Sequence, residues 1–460
     1  MIFKAINMHE PAKIALRDEI LTVSYGVINA EIDKRVDALF EVSCLAIALD
    51  NSVDWILWDL AALKAGIPCV PLPPFFTETQ VFHALQSAGV SHVLSPEGLR
   101  DANRTIGGAS HAQLPEGTAK VTFTSGTTGT PKGVCLPKSA MDNVASGIVQ
   151  VLGDEFAGTH ACVLPLAVLL ENVAGVYAGL MAGCTIELTS LKTFGAQYEN
   201  LHGHLKEKKA TSVILVPEIL RSLMAQVVAK GVLPDIKFIA VGGSKMDPIL
   251  IKQARALGLP VYEGYGLSEC ASVVSLNAPK HDHIGSVGQV LPHVKARIHD
   301  GEIQIKNPGF LGYVGETTPD LLDTGDLGTM GDDGFLSVTG RKKNVLITSY
   351  GRNVSPEWVE ATLLAQSSIL QAVVYGDAAP HLSALIVPVS PDADIQKAVN
   401  QANALLPDYA QIKEFQIVLP FTLEDGTLTG TRRPRRDTIL KHHLTNLMKE
   451  NSNELLQHTG

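Results

Sequence analysis

The sequence lacks several features that would assign it to common classes of protein. Its six cysteines are scattered without a CxxC pair, which argues against a disulfide framework or a zinc site and predicts buried thiols in a reducing compartment. The N-terminal residues contain no apolar stretch of signal-peptide length, and the most apolar segment, 173–188, is short and interrupted by glycines. The formal net charge of −10 disfavours nucleic acid as a partner. We therefore predict a cytoplasmic protein without a transmembrane segment and without a nucleic-acid partner.

The length and the hydrophobic pattern predict two domains. A chain of 460 residues exceeds one ordinary hydrophobic core, and 45% hydrophobic with 18% charged residues is typical of a soluble fold. Short apolar runs alternate with helix-like periods, for example at 45–72, 211–243 and 260–266, which predicts an α/β domain with a largely parallel sheet. Short strands predicted at 301–306 and 334–340 give this large domain a more β-rich end.

After Gly340 the pattern changes to that of a small α+β unit. A short strand comes first, and then Ser355 is predicted to cap a helix whose first position is Pro356. Three further strands follow this helix. We place the domain boundary after residue 341, which gives a large domain at 1–341 and a small domain at 342–460.

The strongest chemical signal is a loop rich in glycine and hydroxyl side chains, TFTSGTTGTPKGV at 122–134. Glycines let the backbone approach an anion, hydroxyl groups donate to phosphate oxygens, and Lys132 adds a positive charge. The loop is not of the Walker A type, because glycine does not directly precede the lysine and no serine or threonine follows it. The pattern predicts a phosphate-binding loop, with a flexible polar loop as the alternative.

The segment TSGTTGTPKG resembles the phosphate-loop signature of the adenylate-forming superfamily, which includes acyl-CoA synthetases, luciferases and the adenylation domains of peptide synthetases. The resemblance covers roughly residues 20–440. It implies a large adenylate-forming domain of parallel-rich sheets and helices with a β-rich subdomain, followed by a small mobile α+β lid. It also implies that the β- and γ-phosphates of ATP are held by the following residues: Thr124, Ser125, Gly126, Thr127, Thr128, Gly129 and Lys132.

The segment YEGYGLSE at 262–269 resembles the YGxTE motif of this family, with Ser268 in the threonine position. The resemblance implies that Glu269 binds Mg²⁺, since hard cations prefer oxygen ligands, and that Ser268 assists it. It also implies that Tyr265 forms the aromatic face for adenine, with Gly266 beside it in the nucleotide site. Taken alone, the same segment is compatible with a strand-end turn that carries a solvated glutamate.

Three further segments extend the resemblance to the rest of the nucleotide. The turn VGGSK at 241–245 resembles the family turn that lies flat against the purine, although any strand-to-helix turn could look similar. The resemblance assigns the following residues to that turn: Gly242, Gly243 and Ser244.

In LDTGDL, Asp326 matches the carboxylate that accepts from the ribose hydroxyls, and Arg341 matches an arginine that also reaches the ribose. Lys343 matches the hinge about which the small domain swivels between half-reactions. The alternatives are a turn-capping aspartate and a solvated run of lysines.

The C-terminal segment GTLTGTRRPRR at 426–436 departs from the family pattern. It resembles the motif that carries a catalytic lysine, but Arg433 stands in the position of that lysine. Arginine keeps the charge and changes its shape and hydration. We predict that Arg433 bridges the carboxylate and the phosphate, with a solvated basic turn as the alternative.

A second departure concerns the acid substrate. The segment LPLAVLLEN at 164–172 resembles a long-chain synthetase motif, but Val168 replaces its histidine. No aspartate lies between 161 and 170 to pair with an amino group, which disfavours an amino-acid substrate and favours an apolar acyl or aryl acid, with a fatty acid as first choice. Three apolar side chains of this region line either an acyl pocket or the core: Leu169, Leu170 and Val173.

Together, these motifs imply an AMP-forming acid–thiol ligase closest in motif style to long-chain fatty acid–CoA ligases. Such an enzyme converts a small-molecule carboxylic acid and ATP into acyl-AMP with release of pyrophosphate, and then transfers the acyl group to a thiol. The implied cofactors are ATP, Mg²⁺ and CoA, or the phosphopantetheine of an acyl carrier protein. Two alternatives stay open: a ligase that loads a carrier protein, and a catalytically impaired nucleotide-binding homologue, which the departures at Arg433 and Val168 suggest.

Overall fold

The structure is a computed structural model that forms two compact units, Met1–Val338 and Thr339–Gly460. The described residues are 1–102, 114–124, 131–195, 198–316, 319–429 and 433–443, without the side chains of 154 and 155. The α/β class predicted from the sequence is confirmed. The domain boundary placed after residue 341 stays a prediction.

Helices of the first unit lie mostly between strands that are neighbours in the chain. They are α1 (Ile2–Ile6), α2 (Ile28–Asp37), α3 (Val53–Ala65), α4 (Glu78–Ser87), α5 (Lys138–Leu152), α6 (Ala178–Ala182), α7 (Leu201–Glu207), α8 (Pro217–Lys230) and α9 (Pro248–Ala256). A π-helix, Leu170–Tyr177, leads directly into α6. Among the described residues, every helix is too short or too polar to cross a membrane. The prediction of buried thiols is confirmed, because all six cysteines are buried and none forms a disulfide.

The largest sheet of the first unit has nine strands among the described residues. Their spatial order is β15 (Gln289–Val290), β14 (Ser272–Leu276), β13 (Val261–Leu267), β12 (Phe238–Val241), β11 (Ser212–Leu215), β9 (Thr159–Cys162), β10 (Thr185–Leu188), β1 (Ile14–Arg17) and β2 (Thr22–Ser24). The strands from β1 to β13 in this order pair in parallel, and antiparallel strands flank them on both sides. Because the carboxyl ends of parallel strands meet at one edge, the segments after β12 and β13 lie side by side.

Two further sheets belong to the first unit, except for the end of their last strand, which lies in the second unit. The six-stranded sheet has the order β6 (Gly98–Asp101), β5 (His92–Ser95), β3 (Leu45–Ile47), β4 (Cys69–Pro71), β7 (Thr118–Thr124) and β8 (Lys132–Pro137). The four-stranded sheet has the order β16 (Lys295–His299), β17 (Glu302–Lys306), β18 (Leu321–Met330) and β19 (Leu336–Arg341). β17 and β19 confirm the two short strands predicted for the β-rich end of the large domain.

A buried ion pair holds β7, the strand that leads into the predicted phosphate loop. Lys120 on β7 and Asp59 on α3 are each 1% exposed, and Lys120 Nζ lies 2.9 Å from Asp59 Oδ1. The hydroxyl of Tyr177 donates to Asp59 Oδ2 at 2.8 Å, and Lys120 Nζ also donates to Asn172 Oδ1. Because removing one partner of a buried pair leaves an uncompensated charge, these contacts fix β7 against α3 and the π-helix.

The second unit is a small α+β structure, as predicted. Its elements are β20 (Leu346–Ile347), β21 (Asn353–Val354), α10 (Pro356–Leu364), β22 (Ile369–Tyr375), β23 (Leu382–Pro388), α11 (Ile395–Asn403) and β24 (Ile412–Ile417). The helix begins at Pro356, but Ser355 forms no cap hydrogen bond with the helix backbone. The reason is local, since Ser355 Oγ donates to Glu357 Oε2 at 2.9 Å.

Candidate active site

The glycine-rich turn predicted to face the purine follows β12 and lies against β13. A methyl group on Gly242 would lie 3.2 Å from the carbonyl oxygen of Gly264, so this turn packs closely on the neighbouring strand. Gly243 has a φ of +95°, a left-handed conformation that favours glycine. Gly243 and Ser244 are exposed, and Lys245 Nζ donates to the carbonyl oxygen of Val338 at 2.9 Å. The turn is therefore held by its contacts with Gly264 and Val338, while Gly243 and Ser244 face solvent.

Tyr265 and Asp326 come from different sheets and meet directly. The hydroxyl of Tyr265 on β13 donates to Asp326 Oδ2 on β18 at 2.8 Å. Burial, and then the negative charge of Asp326, raise the pKa of Tyr265, so this hydroxyl keeps its proton. The neighbouring Gly266 has no room for a side chain, because a methyl group there would lie 1.7 Å from the carbonyl oxygen of Ser272. The resemblance assigned both Tyr265 and Asp326 to the nucleotide site, and the structure brings them together.

Glu269 and Lys132 are linked through a residue that the sequence analysis missed. Glu269 lies in a short 3₁₀ turn, Ser268–Cys270, directly after β13. The hydroxyl of Tyr313 donates to Glu269 Oε1 at 2.7 Å, and Lys132 Nζ lies 4.9 Å from the centre of the Tyr313 ring. No periodic pattern marks Tyr313, because its place depends on contacts with β8, far away in the sequence.

The two ends of the predicted phosphate loop lie side by side. Thr124 closes β7 and pairs with Lys132, the first residue of β8. Thr124 Oγ1 also donates to the carbonyl oxygen of Lys132 at 3.5 Å. His83 on α4 supports the same loop, since its Nε2 lies 3.0 Å from the carbonyl oxygen of Pro131. The remaining residues assigned to this loop lie outside the described residues: Ser125, Gly126, Thr127, Thr128 and Gly129.

The side chains around Glu269 have the chemistry that a magnesium–triphosphate complex requires. Among the described residues, the Glu269 carboxylate accepts one hydrogen bond, on Oε1, and a second carboxylate oxygen is a ligand that suits a hard cation. The hydroxyl of Ser268 adds a second hard oxygen, which suits Mg²⁺. Lys132 is half exposed and lies 3.4 Å from Glu316 Oε1, so its ammonium group is available to an anion that displaces this weak surface pair. The residues present therefore fit a bound Mg²⁺ and a triphosphate.

The other predicted site residues belong to the second unit: Arg341, Lys343 and Arg433. Lys343 lies in a 3₁₀ turn, Lys342–Asn344, directly after β19. Arg433 is exposed, and its backbone is held by Thr429, whose N–H donates to the Arg433 carbonyl oxygen at 2.7 Å. Arg436 anchors the same segment from the inside, because its Nη2 donates to the buried Glu360 at 2.9 Å. In the described part of this segment, residues 426–429 and 433–436, Arg433 is thus an exposed arginine on a turn that Arg436 anchors.

The segment around Val168 belongs to the hydrophobic core for the most part. Leu169 is 5% exposed and Val173 is 0% exposed, and both lie in the main core, with Leu170 packed against it. Of the two predicted alternatives for these three side chains, the core is therefore confirmed. Val168 is partly exposed, so the position of the family histidine is not sealed inside the protein.

A buried polar cluster next to this segment was not anticipated. His160 Nε2 lies 2.9 Å from Glu171 Oε1, and the amide of Leu164 donates to Glu171 Oε2 at 2.9 Å. The ligand atoms of His160, Cys162 and Glu171 all lie within 4.8 Å of one another. A methyl group on Gly175 would lie 2.4 Å from Glu171 Oε1, so the helix packs tightly over these atoms. With its carboxylate already satisfied and no space beside it, the cluster has a structural role.

Glu263 is a buried carboxyl group beneath the glycine-rich turn. Burial raises its pKa from 4.5 to about 8, against the opposing effects of a Met246 backbone hydrogen bond and the Lys245 charge, while Asp247 adds to the rise. The folded chain therefore holds a proton on Glu263 that the unfolded chain loses near pH 4.5. Consequently, the contribution of Glu263 to the free energy of unfolding falls as the pH rises from about 4.5 to about 8.

We expect Glu263→Gln to remove this loss, because glutamine fills the same space and carries no charge at any pH. Relative to the wild type, the variant gains stability as the pH rises, by as much as about 5 kcal/mol above pH 8. Urea unfolding from pH 5 to pH 9 measures the difference. The exposed Glu207→Gln is the matched control and keeps the wild-type pH dependence. If the free energies of unfolding of the wild type and Glu263→Gln changed in parallel with pH, Glu263 would be ionised in the folded protein.

Comparisons with known proteins identify the family to which the chain is similar. The family model described as AMP-binding enzyme matches residues 3–316, and the one described as AMP-binding enzyme C-terminal domain matches residues 343–451. The long-chain-fatty-acid–CoA ligase FadD15 of Mycobacterium bovis is 35% identical over 234 residues, which cover 43% of this chain and 39% of that protein. The chain thus matches well under half the length of this relative.

Two further proteins are similar over more of their length. The 2-succinylbenzoate–CoA ligase of Enterococcus faecalis is 29% identical over 282 residues, 57% of each chain. The crystal structure of the anthranilate CoA ligase AuaEII in complex with anthranoyl-AMP superimposes with a TM-score of 0.82 at 17% identity and covers 96% of both chains. At this identity the superposition establishes the fold.

Proposed function

The chain belongs to the AMP-binding enzyme family, and from that premise we propose that it activates a carboxylic acid with ATP to form acyl-AMP and pyrophosphate. The observation that carries the proposal is the linked set of Lys132, Tyr313 and Glu269 beside the Tyr265–Asp326 pair. Glu269 and Tyr265 lie at the end of the same strand, so one edge of the sheet presents groups for the metal, the phosphates and the ribose.

In the proposed reaction, a carboxylate oxygen of the acid attacks the α-phosphorus of ATP, and the bond to the pyrophosphate oxygen breaks. Little covalent chemistry is left to the protein, whose residues align the two substrates and balance their charges. Lys132 holds the phosphates that leave, and Glu269 with Ser268 holds Mg²⁺, which neutralises triphosphate charge when bound. Asp326 accepts hydrogen bonds from the ribose hydroxyls, and Tyr265 and the turn at Gly242–Ser244 flank the purine.

The second unit contributes the remaining charged groups in this proposal. Arg433, on its anchored turn, supplies the positive charge that lies between the carboxylate and the α-phosphate during adenylation. Arg341 reaches the ribose, and Lys343 is the hinge that allows the small domain to change orientation for the second half-reaction. The exposure of Arg433 and its fixed backbone support the first of these roles.

For the acid substrate, we propose an apolar acyl or aryl acid, with a fatty acid as the first candidate. The absence of an aspartate between residues 161 and 170 supports this choice, since an amino-acid substrate needs a partner for its ammonium group. The partial identity to a long-chain-fatty-acid–CoA ligase points the same way. Because the chain is also similar to a 2-succinylbenzoate–CoA ligase, aryl acids are tested beside fatty acids.

For the acceptor, we propose the thiol of CoA, which attacks the acyl carbon and releases AMP. Both sequence relatives named above carry CoA ligase in their names, which supports CoA over the phosphopantetheine of a carrier protein. A carrier protein stays the competing acceptor. A direct assay distinguishes CoA from a carrier protein as acceptor, because the same acyl-AMP gives acyl-CoA with one and acyl-carrier protein with the other.

The experiment that tests the proposed function is a substrate panel. The purified chain is incubated with Mg²⁺, ATP and single acids that span short, medium and long fatty acids, aryl acids and amino acids. Pyrophosphate release and hydroxamate formation with hydroxylamine are measured, and CoA or a holo-carrier protein then replaces hydroxylamine. We expect acid-dependent pyrophosphate with apolar acids and acyl-CoA as the product. Nucleotide binding without pyrophosphate release for any acid would identify an impaired homologue instead.

A further inference from the structure

We propose that Tyr313 is a positioning residue that couples the magnesium ligand Glu269 to the phosphate-binding Lys132. This inference rests on the proposed function and adds a residue that no motif of the sequence identified. The hydroxyl group of Tyr313 acts on Glu269, and its ring acts on Lys132, so the two effects can be separated by substitution.

The hydroxyl of Tyr313 fixes the orientation of the Glu269 carboxylate. It donates to Oε1 at 2.7 Å, which directs the other oxygen, Oε2, away from the tyrosine. A tyrosine hydroxyl can donate its proton to a carboxylate oxygen, which is the direction of this contact. Hydrogen bonds that orient a metal ligand in this way typically change metal affinity by about 10- to 100-fold.

The ring of Tyr313 acts on the lysine. Lys132 Nζ lies 4.9 Å from the ring centre, within the range of a cation–π contact, and 3.4 Å from Glu316 Oε1. The ammonium group is therefore held beside the ring before any phosphate arrives. An ordered side chain loses less rotamer entropy when it binds a ligand, so the ring lowers the cost of bringing Lys132 to the phosphates.

Tyr313 owes its position to backbone pairing with the strand that carries Lys132. The amide of Val314 donates to the Gly133 carbonyl oxygen at 2.9 Å, and the amide of Cys135 donates to the Gly312 carbonyl oxygen at 2.9 Å. A methyl group on Gly133 would lie 2.8 Å from Val314 Cγ2, so glycine is needed for this close approach. These contacts therefore fix the segment that carries Tyr313 against the strand that begins at Lys132.

Two substitutions separate the two contacts. Tyr313→Phe removes the hydroxyl and keeps the ring, so we expect the Mg²⁺ concentration for half-maximal pyrophosphate release to rise by about tenfold. The KM for ATP at saturating Mg²⁺ stays within about twofold of the wild-type value, because the contact with Lys132 remains. Tyr313→Leu removes both contacts and raises the Mg²⁺ requirement and the KM for ATP together.

A double-mutant cycle tests whether the hydroxyl acts through Glu269. The Mg²⁺ dependence of ATP binding is measured by calorimetry for Tyr313→Phe, Glu269→Gln and the double variant. We expect Tyr313→Phe to have no further effect in the Glu269→Gln background, since the oriented carboxylate is already gone. Tyr25→Phe, which removes a buried hydroxyl that donates to the Cys184 carbonyl oxygen at 2.7 Å, is the matched control for stability and leaves the Mg²⁺ requirement unchanged.

The outcomes separate this inference from the proposed function. A Mg²⁺ curve for Tyr313→Phe that superimposes on the wild-type curve would overturn the coupling, and so would an equal shift in the Glu269→Gln background. If Tyr25→Phe shifted the Mg²⁺ requirement by the same amount, the effect would be general destabilisation, and the coupling through Tyr313 would be overturned as well. A wild-type chain that binds MgATP without releasing pyrophosphate would overturn the proposed function alone, because the binding measurements still test Tyr313.

Discussion

Substitution of Glu269 by glutamine is expected to lower kcat for acid-dependent pyrophosphate release by about 10²- to 10³-fold. Glutamine keeps the shape of the side chain and an oxygen that accepts from the Tyr313 hydroxyl, but it loses the negative charge that holds a divalent cation. Without the cation, the triphosphate and the attacking carboxylate repel each other, and pyrophosphate leaves with uncompensated charge. Initial rates across a range of Mg²⁺ concentrations measure the effect and also show a higher Mg²⁺ requirement.

The matched control for this substitution is Glu218→Gln on α8, where the carboxylate faces Arg221 at 3.7 Å. We expect wild-type rates for that variant, because a surface pair contributes little to stability. A Glu269→Gln enzyme that released pyrophosphate at the wild-type rate would show that the carboxylate at the end of β13 holds no catalytic metal.

Substitution of Arg433 by alanine is expected to slow adenylation by about 10²-fold, because it removes a positive charge from between two anions. The fold of the second unit should be retained, since the anchor of this segment is the Arg436–Glu360 pair and the Arg433 side chain is exposed. Arg433→Lys restores the charge without the planar fork of arginine, so its rate lies between those of the wild type and Arg433→Ala.

The readout that isolates Arg433 is a comparison of the two half-reactions. Single-turnover pyrophosphate release measures adenylation, and thioester formation from preformed acyl-AMP measures the second step, which we expect to stay within about threefold of the wild-type rate. Arg435→Ala removes a neighbouring positive charge and serves as the control. Unchanged adenylation in Arg433→Ala would assign this arginine to a solvated basic turn.

The sequence predicted the parts of the fold that depend on local pattern. Alternating apolar runs predicted the parallel strands β11, β12 and β13, because strands buried on both faces are apolar along their length. Turn chemistry predicted the helix that begins at Pro356. The resemblance to a known family assigned Tyr265 and Asp326 to different parts of one nucleotide, and the structure shows a direct contact between them, although they lie on different sheets.

Features that depend on long-range pairing could not be read from the sequence. Tyr313 reaches Glu269 because its segment pairs with β8, and nothing in its immediate neighbours indicates that pairing. The buried charge of Lys120 looks like a polar interruption of an apolar strand until Asp59 is seen beside it. In the same way, Arg436 is indistinguishable from the other arginines of its segment, and only the packing of Glu360 makes it the anchor.

The most direct test of the account is to follow oxygen from the acid into AMP. An acid accepted by the enzyme is labelled with ¹⁸O in its carboxylate, and the AMP formed with CoA or hydroxylamine is analysed by mass spectrometry. If a carboxylate oxygen attacks the α-phosphorus, acyl transfer leaves that oxygen behind, and each AMP carries one ¹⁸O in its phosphate group. AMP without label, or ADP and orthophosphate in place of AMP and pyrophosphate, would contradict the formation of acyl-AMP at this site.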